Sequence, residues 1–409
     1  MMLSENLKEK RAKYDFFDGV VLVAVLILSA LGILLVFSIT GTSIFNNRTG
    51  DRLGYMIHST TGVVLGVIAM IVMALVPNKL FREKLGLPIL LGTLVIFVMT
   101  PIFGQGVPTS PEATRWLRIP GVITFQAVDL ARIGFVLSLP WLIKVLIDKR
   151  RYYSKKIGSA YLIPLAYVFL CTLLVIAQPD LGSAMVIFTI GIVVFLSSGL
   201  HLKQLTFFLL VAVAALVGVV LVGVDLWEYQ IDRIDVWRDP FNHPNGHQIV
   251  MGFVSIALGG WWGEGIGRST TALGFAIEPH TDLIITILSE ELGVITVFMV
   301  MGLYFLIALK CFLTALKSRD VFSALVCIGI GTFFLAQPFV NLGGVSGVIP
   351  LSGVTLPLIS YGMTSQLSTF VLIGLYFNMR RYILIDVEKH KAAKKKKETR
   401  HLYLLPRAN

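Results

Sequence analysis

Stretches of about 20 apolar residues recur from one end of this chain to the other, and nothing else in it restricts the fold as much. Coiled as a helix, such a run matches the hydrocarbon thickness of a bilayer. Ten of them fall at about 17–41, 54–76, 86–103, 123–147, 159–177, 181–199, 203–224, 282–309, 321–340 and 353–378. The first is too long for the apolar core of a signal peptide and is followed by no small-residue cleavage site, so it reads as a retained span. Of the 409 residues 56% are hydrophobic and 14% charged, and no connection is long enough for a sizeable soluble domain. The expectation is an all-α integral membrane protein of ten transmembrane helices. Residues 1–16 form a polar lead, 17–379 the membrane domain and 380–409 a basic tail.

Charge placement orients the spans. Lys79, Arg82 and Lys84, then Lys149, Arg150, Arg151, Lys155 and Lys156, then Lys317 and Arg319 lie in alternate connections. With ten spans these share a side with both termini. The opposite connections, 42–53, 104–122, 225–281 and 341–352, contain no lysine. By the positive-inside rule both termini are cytoplasmic, and 225–281 is a large extracytoplasmic loop between the seventh and eighth spans. Its Trp227, Tyr229, Trp237, Trp261 and Trp262 suit headgroup level. The net charge of +11 sits beside spans, where it orients the protein and attracts anionic lipid, so nucleic acid is not the expected partner. The tail after Arg380 reads as a disordered, lipid-facing segment. Cys171, Cys311 and Cys327 fall in apolar runs without paired spacing and suggest neither a disulfide nor a zinc site.

Polar residues in or beside spans are costly, and they cluster in four places. The stretch EPHTDLIITILSEELG at 278–293 sets Asp282 at the mouth of a span, with Glu290 and Glu291 two turns further in. Asp282 is either an N-cap or a carboxylate held at the edge of low dielectric, where it can act as a base. TRWLRIPGVITFQAVDLAR at 114–132 places Arg115, Trp116 and Arg118 before a span and Gln126, Asp129 and Arg132 within it. Asp129 and Arg132 are spaced to pair on one helix face. Arg115 and Arg118 suit either phosphate oxygens or interfacial anchoring. In QPDLGS at 178–183, Asp180 is positioned to cap the next helix, or to face a cation or Arg132. GVIPLSGVTLPLISYGMTSQ at 347–366 implies irregular backbone at membrane depth, tolerated only where it is buried or lines a polar cavity. GGWWGEGIG at 259–267 lacks the Lys-Ser/Thr of a phosphate loop and reads as flexible, closely packed loop backbone. His243 and His247 are separated by Pro244 and Gly246, which argues against a helical metal pair.

These regions, in this order, resemble the SEDS family, which includes FtsW, RodA and SpoVE. The likeness covers nearly the whole chain and rests on QPDLGS, on EPHTDLI followed by EELG, and on GVTLPLISYG at 353–362, supported by RWLRIPG with FQ at 115–126. The family's FQPSELAK is here FQAVDLAR, and its ISYGGSS is ISYGMTS with Met363 and Thr364. The resemblance implies a peptidoglycan glycosyltransferase that polymerises lipid II onto a nascent lipid-linked glycan at the outer membrane face, beside a class B penicillin-binding protein. It makes Asp282 the catalytic base. Arg115, Trp116, Arg118, Gln126, Arg132, Asp180, Glu278, His280, Thr281, Ser360 and Tyr361 become substrate-binding candidates. Help from a divalent cation (Mg or Mn) and no organic cofactor are implied as well. A lipid II flippase and a non-catalytic scaffold are the alternative roles.

Overall fold

The structure, a computed structural model, describes residues 17–40, 52–106, 114–119, 123–149, 159–199, 228–270 and 282–404. Helices dominate it. In chain order they are α1 (Gly19–Thr40), α2 (Arg52–Leu75), α3 (Gly86–Phe103), α4 (Ala127–Asp148), α5 (Ser159–Ile176), α6 (Leu181–Leu196), α7 (Glu228–Arg238), α8 (His247–Gly259), α9 (Ile284–Lys317), α10 (Val321–Val345) and α11 (Met363–Leu404). Among the described residues α1, α2, α3, α4, α9 and α10 are long and apolar enough to cross a membrane, while α5, α6 and α8 are shorter apolar helices.

The central member is α10, which packs against α9, α6, α4 and α11. Its most apolar window is 72% buried, against 22% for α2 and α3, whose outer faces carry Ile57, Ile68, Val72, Leu91 and Val95 toward lipid. Acidic caps set two helix starts: Asp180 accepts from the Ser183 amide at 3.1 Å and Asp320 from the Ser323 amide at 3.0 Å. At one end of the bundle charged groups tie the helix termini together. Asp18 meets Lys310 and Arg380, each at 3.7 Å. Arg82 reaches Asp320 at 3.4 Å and donates to the Tyr382 hydroxyl at 2.7 Å.

Several boundaries differ from the sequence expectation. The fold is not purely α: β1 (Trp116–Ile119) and β2 (Ile123–Gln126) form an antiparallel hairpin that pairs Trp116 with Gln126 and Arg118 with Thr124. The β-branched and aromatic residues of ITFQ go to this ladder, so α4 starts at Ala127 and Gln126 stands just outside the span. The last helix starts at Met363 rather than 353, because 350–362 is irregular and largely buried. Within 225–281 the described part contains α7 and α8. Beyond Arg380 the chain stays helical to Leu404, since 380–404 contains neither proline nor glycine and is rich in lysine, a good helix former. The expected span at 203–224 lies outside the described residues.

The longest apolar helix is broken. Within α9, Gly293 sits at φ 82°, ψ 163°, a backbone conformation that L side chains rarely adopt. The break strands the carbonyls of Glu290 and Glu291 and the amides of Val294 and Ile295, and the segment 260–265 takes up all four. Glu264 and Gly265 amides donate to the carbonyls of Glu290 (2.8 Å) and Glu291 (3.0 Å). The amides of Val294 and Ile295 donate to Gly260 (3.0 Å) and Trp261 (3.4 Å). Glycine is required for so close an approach: a Cβ on Gly259 would lie 2.6 Å from the Glu290 Cα, and one on Gly263 would run into the Glu291 carbonyl. Substituting Gly293→Ala should cost about 2–3 kcal/mol, from the left-handed φ and the clash with Trp261 backbone. Thermal unfolding in detergent checks it, with Gly302→Ala, whose added Cβ meets nothing within 4 Å, expected to leave the midpoint unchanged.

Candidate active site

The sequence motifs meet at Gly353, in the irregular segment between α10 and α11. A Cβ added there would lie 3.2 Å from Arg115 Nη1, 3.2 Å from Asp282 Oδ2 and 3.7 Å from Arg233 Nη1. At φ +67° the position favours glycine, and the absent side chain leaves a notch walled by one carboxylate and two guanidinium groups.

Each wall is held from behind. The hairpin fixes Arg115: the Ala127 amide donates to its carbonyl, and next to it Trp116 pairs with Gln105 through both backbone groups. The Arg115 side chain, largely buried, donates from Nη2 to the Pro179 carbonyl at 2.5 Å, and its Nε lies 3.8 Å from Asp180 Oδ2. Asp180 therefore both caps α6 and steers Arg115. Arg233, on α7, donates from Nη1 to the Leu351 carbonyl at 2.5 Å. Asp282 precedes the α9 N-cap, Leu283, and that cap makes no side-chain hydrogen bond. The Asp282 backbone carbonyl accepts from Asn341 Nδ2 at 2.9 Å.

The irregular segment is buried, so its backbone needs partners inside the protein. Asn341 Nδ2 also donates to the Val354 carbonyl (2.6 Å), and Gln337 Nε2 to that of Thr355 (2.8 Å). The Tyr304 hydroxyl donates to the Pro357 carbonyl. Ser360 Oγ accepts from the Leu356 amide at 2.8 Å, so this hydroxyl closes a turn. The Tyr361 ring packs on Tyr55 with centroids 5.2 Å apart. Helix α6 touches the segment where Gly182 has no side chain: a Cβ there would lie 2.6 Å from Ser352 Cβ.

The remaining sequence candidates lie around this centre. Trp116, Arg118 and Gln126 share one hairpin face by register, with Arg118 exposed. Arg132 is buried in the bundle, 3.3 Å from Asp129 Oδ1 and 5.0 Å from the Phe333 ring centroid. Glu278, His280 and Thr281 lie outside the described residues. Glu290 and Glu291 are engaged by other parts of the protein. Glu290 accepts from Ser255, Ser269 and the amide and hydroxyl of Thr270 at 2.6–2.8 Å, and Glu291 accepts from Ser38 and the Gly267 amide. His243 lies 3.6 Å from Asp232. Among the described residues no three His, Cys, Asp or Glu side chains gather to hold a metal. One carboxylate flanked by two guanidinium groups suits an anionic ligand better than a divalent cation.

Sequence reasoning missed Arg233, Asn341, Gln337 and the role of Gly353. Arg233 sits in a loop rich in carboxylates and carries no local signal. Gln337 and Asn341 did carry one: two amides four apart on one face of an apolar span.

Comparison with known proteins follows this geometry. The family model FTSW_RODA_SPOVE, described as "Cell cycle protein", matches residues 19–383. The probable peptidoglycan glycosyltransferase FtsW of Bacillus subtilis (strain 168) is 30% identical over 405 residues, covering 96% of this chain and 95% of the relative. A protein of the same name from Alkalilimnicola ehrlichii is 31% identical, covering 88% of each chain. A chain from the structure described as "Structural coordination of polymerization and crosslinking by a peptidoglycan synthase complex" superposes with a TM-score of 0.71 at 25% identity, covering 90% of this chain and 98% of its own. The crystal structure of the rod shape determining protein RodA of Thermus thermophilus shares the fold, with a TM-score of 0.62 at 21% identity, covering 89% of this chain and 97% of RodA. With these matches over nearly its full length, and with its apolar helices, the chain belongs to the FtsW/RodA/SpoVE family of multi-pass cytoplasmic membrane proteins.

Proposed function

We propose that this protein is a peptidoglycan glycosyltransferase that polymerises lipid II into glycan strands at the outer face of the cytoplasmic membrane. The observation that carries this reading is the meeting of Asp282 and Arg115, from motifs far apart in sequence, at the side-chain-free Gly353. Asp282 takes the proton of the acceptor's N-acetylglucosamine 4-hydroxyl as that oxygen attacks the anomeric carbon of the donor's N-acetylmuramic acid. The carbon–oxygen bond to the diphosphate breaks with inversion, and undecaprenyl pyrophosphate carries away the electron pair. Such a leaving group needs its charge stabilised more than it needs a proton, so one carboxylate suffices.

Arg115 is one of two cations at the notch; Arg118 and Trp116, on the hairpin's other face, suit the approaching lipid headgroup. Glu278, His280 and Thr281, just before Asp282 in sequence, stay substrate-binding candidates on the family resemblance. Arg132, paired with Asp129, acts through the bundle rather than by contact. A divalent cation fits this donor set only when the substrate's own diphosphate oxygens supply most of its ligands, and no step above runs through one. Ten spans with both termini cytoplasmic put Asp282, the hairpin and 225–281 outside, consistent with the lysine distribution. A class B penicillin-binding protein is the proposed partner; one related structure is of a peptidoglycan synthase complex.

In detergent with fluorescent lipid II and the co-encoded penicillin-binding protein, Asp282→Asn is expected to abolish polymer while leaving thermal unfolding intact. Polymer at wild-type rate from this variant would return Asp282 to a structural role. Asn341→Leu strips donors from two buried carbonyls, at about 1–3 kcal/mol each. It should lower both the melting midpoint and kcat, because the Asp282 backbone and the Gly353 segment lose their common tether.

A further inference from the structure

The geometry points to Arg233 and Arg115 as a paired donor site for the diphosphate of a polyprenyl-linked substrate, with Gly353 as the floor over which the reacting bond lies. This assignment rests on the glycosyltransferase reading and deepens it. It adds Arg233, which lies outside every motif that singled out the site.

Three observations carry the inference. Both guanidinium groups converge on one point, their Nη1 atoms 3.2 and 3.7 Å from the position a Gly353 Cβ would take, so neither is more than about 7 Å from Asp282 Oδ2. Each is also aimed by backbone: Arg115 is held by the Pro179 carbonyl with Asp180 beside its Nε, and Arg233 by the Leu351 carbonyl, two residues before the floor. Forked, rigid donors placed this way suit the several oxygens of a diphosphate. Lastly, the bound of about 7 Å leaves the carboxylate and the guanidinium donors close enough to serve the two ends of one inverting displacement. Asp282, Arg115 and Arg233 thus border the notch together, with Asp180 beside Arg115.

The reaction keeps its balance with this assignment. The proton moves to Asp282, the glycosidic bond forms at the anomeric carbon, and the departing diphosphate stays hydrogen-bonded to both arginines until the lipid leaves. A side chain at 353 would occupy the reaction axis itself.

The test is a binding measurement without turnover on the purified full-length chain in detergent. Undecaprenyl diphosphate, undecaprenyl monophosphate and undecaprenol compete for a fluorescent undecaprenyl diphosphate. The wild type is expected to prefer the diphosphate over undecaprenol by about ten- to a hundredfold, as charge-assisted hydrogen bonds imply. Arg233→Ala should reduce that preference at least about tenfold with undecaprenol affinity unchanged, Arg233→Lys should recover part of it, and Gly353→Ala should reduce it as well. Asp282→Asn should bind the diphosphate as well as or better than wild type, since a negative charge facing the ligand is gone. An unchanged preference in Arg233→Ala overturns the assignment. So does an equal loss for all three lipids with a lowered melting midpoint, which marks Arg233 as a structural tether only. Failure of the glycosyltransferase reading looks different: diphosphate preference intact and Arg233-dependent, yet no glycan formed from lipid II.

Discussion

A membrane helix cannot break unless something else takes the backbone groups the break releases. In this protein α9 breaks at Gly293, and the glycine-rich segment 260–265 takes two carbonyls and two amides from it. That exchange lets the first nine residues of α9 follow their own direction and bring Asp282 to the Gly353 notch. Glu290 and Glu291 reinforce it from the buried side, one gripping Ser255, Ser269 and Thr270, the other Ser38 and the Gly267 amide. Two carboxylates inside a span would be costly alone; surrounded by donors, they fasten the glycine-rich segment to the helix that follows Asp282.

A second problem of the same kind is solved by side chains. Residues 350–362 run irregularly at membrane depth, and their carbonyls are met by Asn341, Gln337, Tyr304 and Arg233. Three of these donors stand on α9 and α10, two of them on α10, the most buried helix of the bundle, so the segment is anchored to that core. The fourth comes from α7 and ties that helix to the segment around the notch. Arg115 is placed from yet another direction, by a two-stranded hairpin and the turn before α6. Preorganisation of the candidate site therefore draws on elements from several distant parts of the chain.

Some of the site was legible in the chain because its residue types are expensive where they occur. Asp282 before an apolar run, Arg115 beside an aromatic, and Asp180 between two closely spaced spans all announced themselves that way, as did the proline- and glycine-rich entry at 347–366. Arg132 announced itself equally, yet the fold sets it against Asp129 and Phe333 inside the bundle. Ser360 spends its hydroxyl on a backbone amide. A costly residue signals that a partner exists without saying whether that partner is substrate or protein. Arg233 is the reverse case, an ordinary-looking loop arginine that reaches the centre only after α7 has folded onto the 350–362 segment.

What the sequence by itself determined was the class of solvent, the recurrence of apolar helices and their polar exceptions. Hydrophobic length and charge placement answer to the bilayer directly, one segment at a time. Tertiary structure alone decided that Gly353, Arg115, Arg233 and Asp282 share one point, that the hairpin precedes α4, and that α9 breaks where the glycine-rich segment can repair it. Those outcomes depend on satisfying buried backbone groups across distant parts of the chain, and no local pattern records which distant group will supply the missing hydrogen bond.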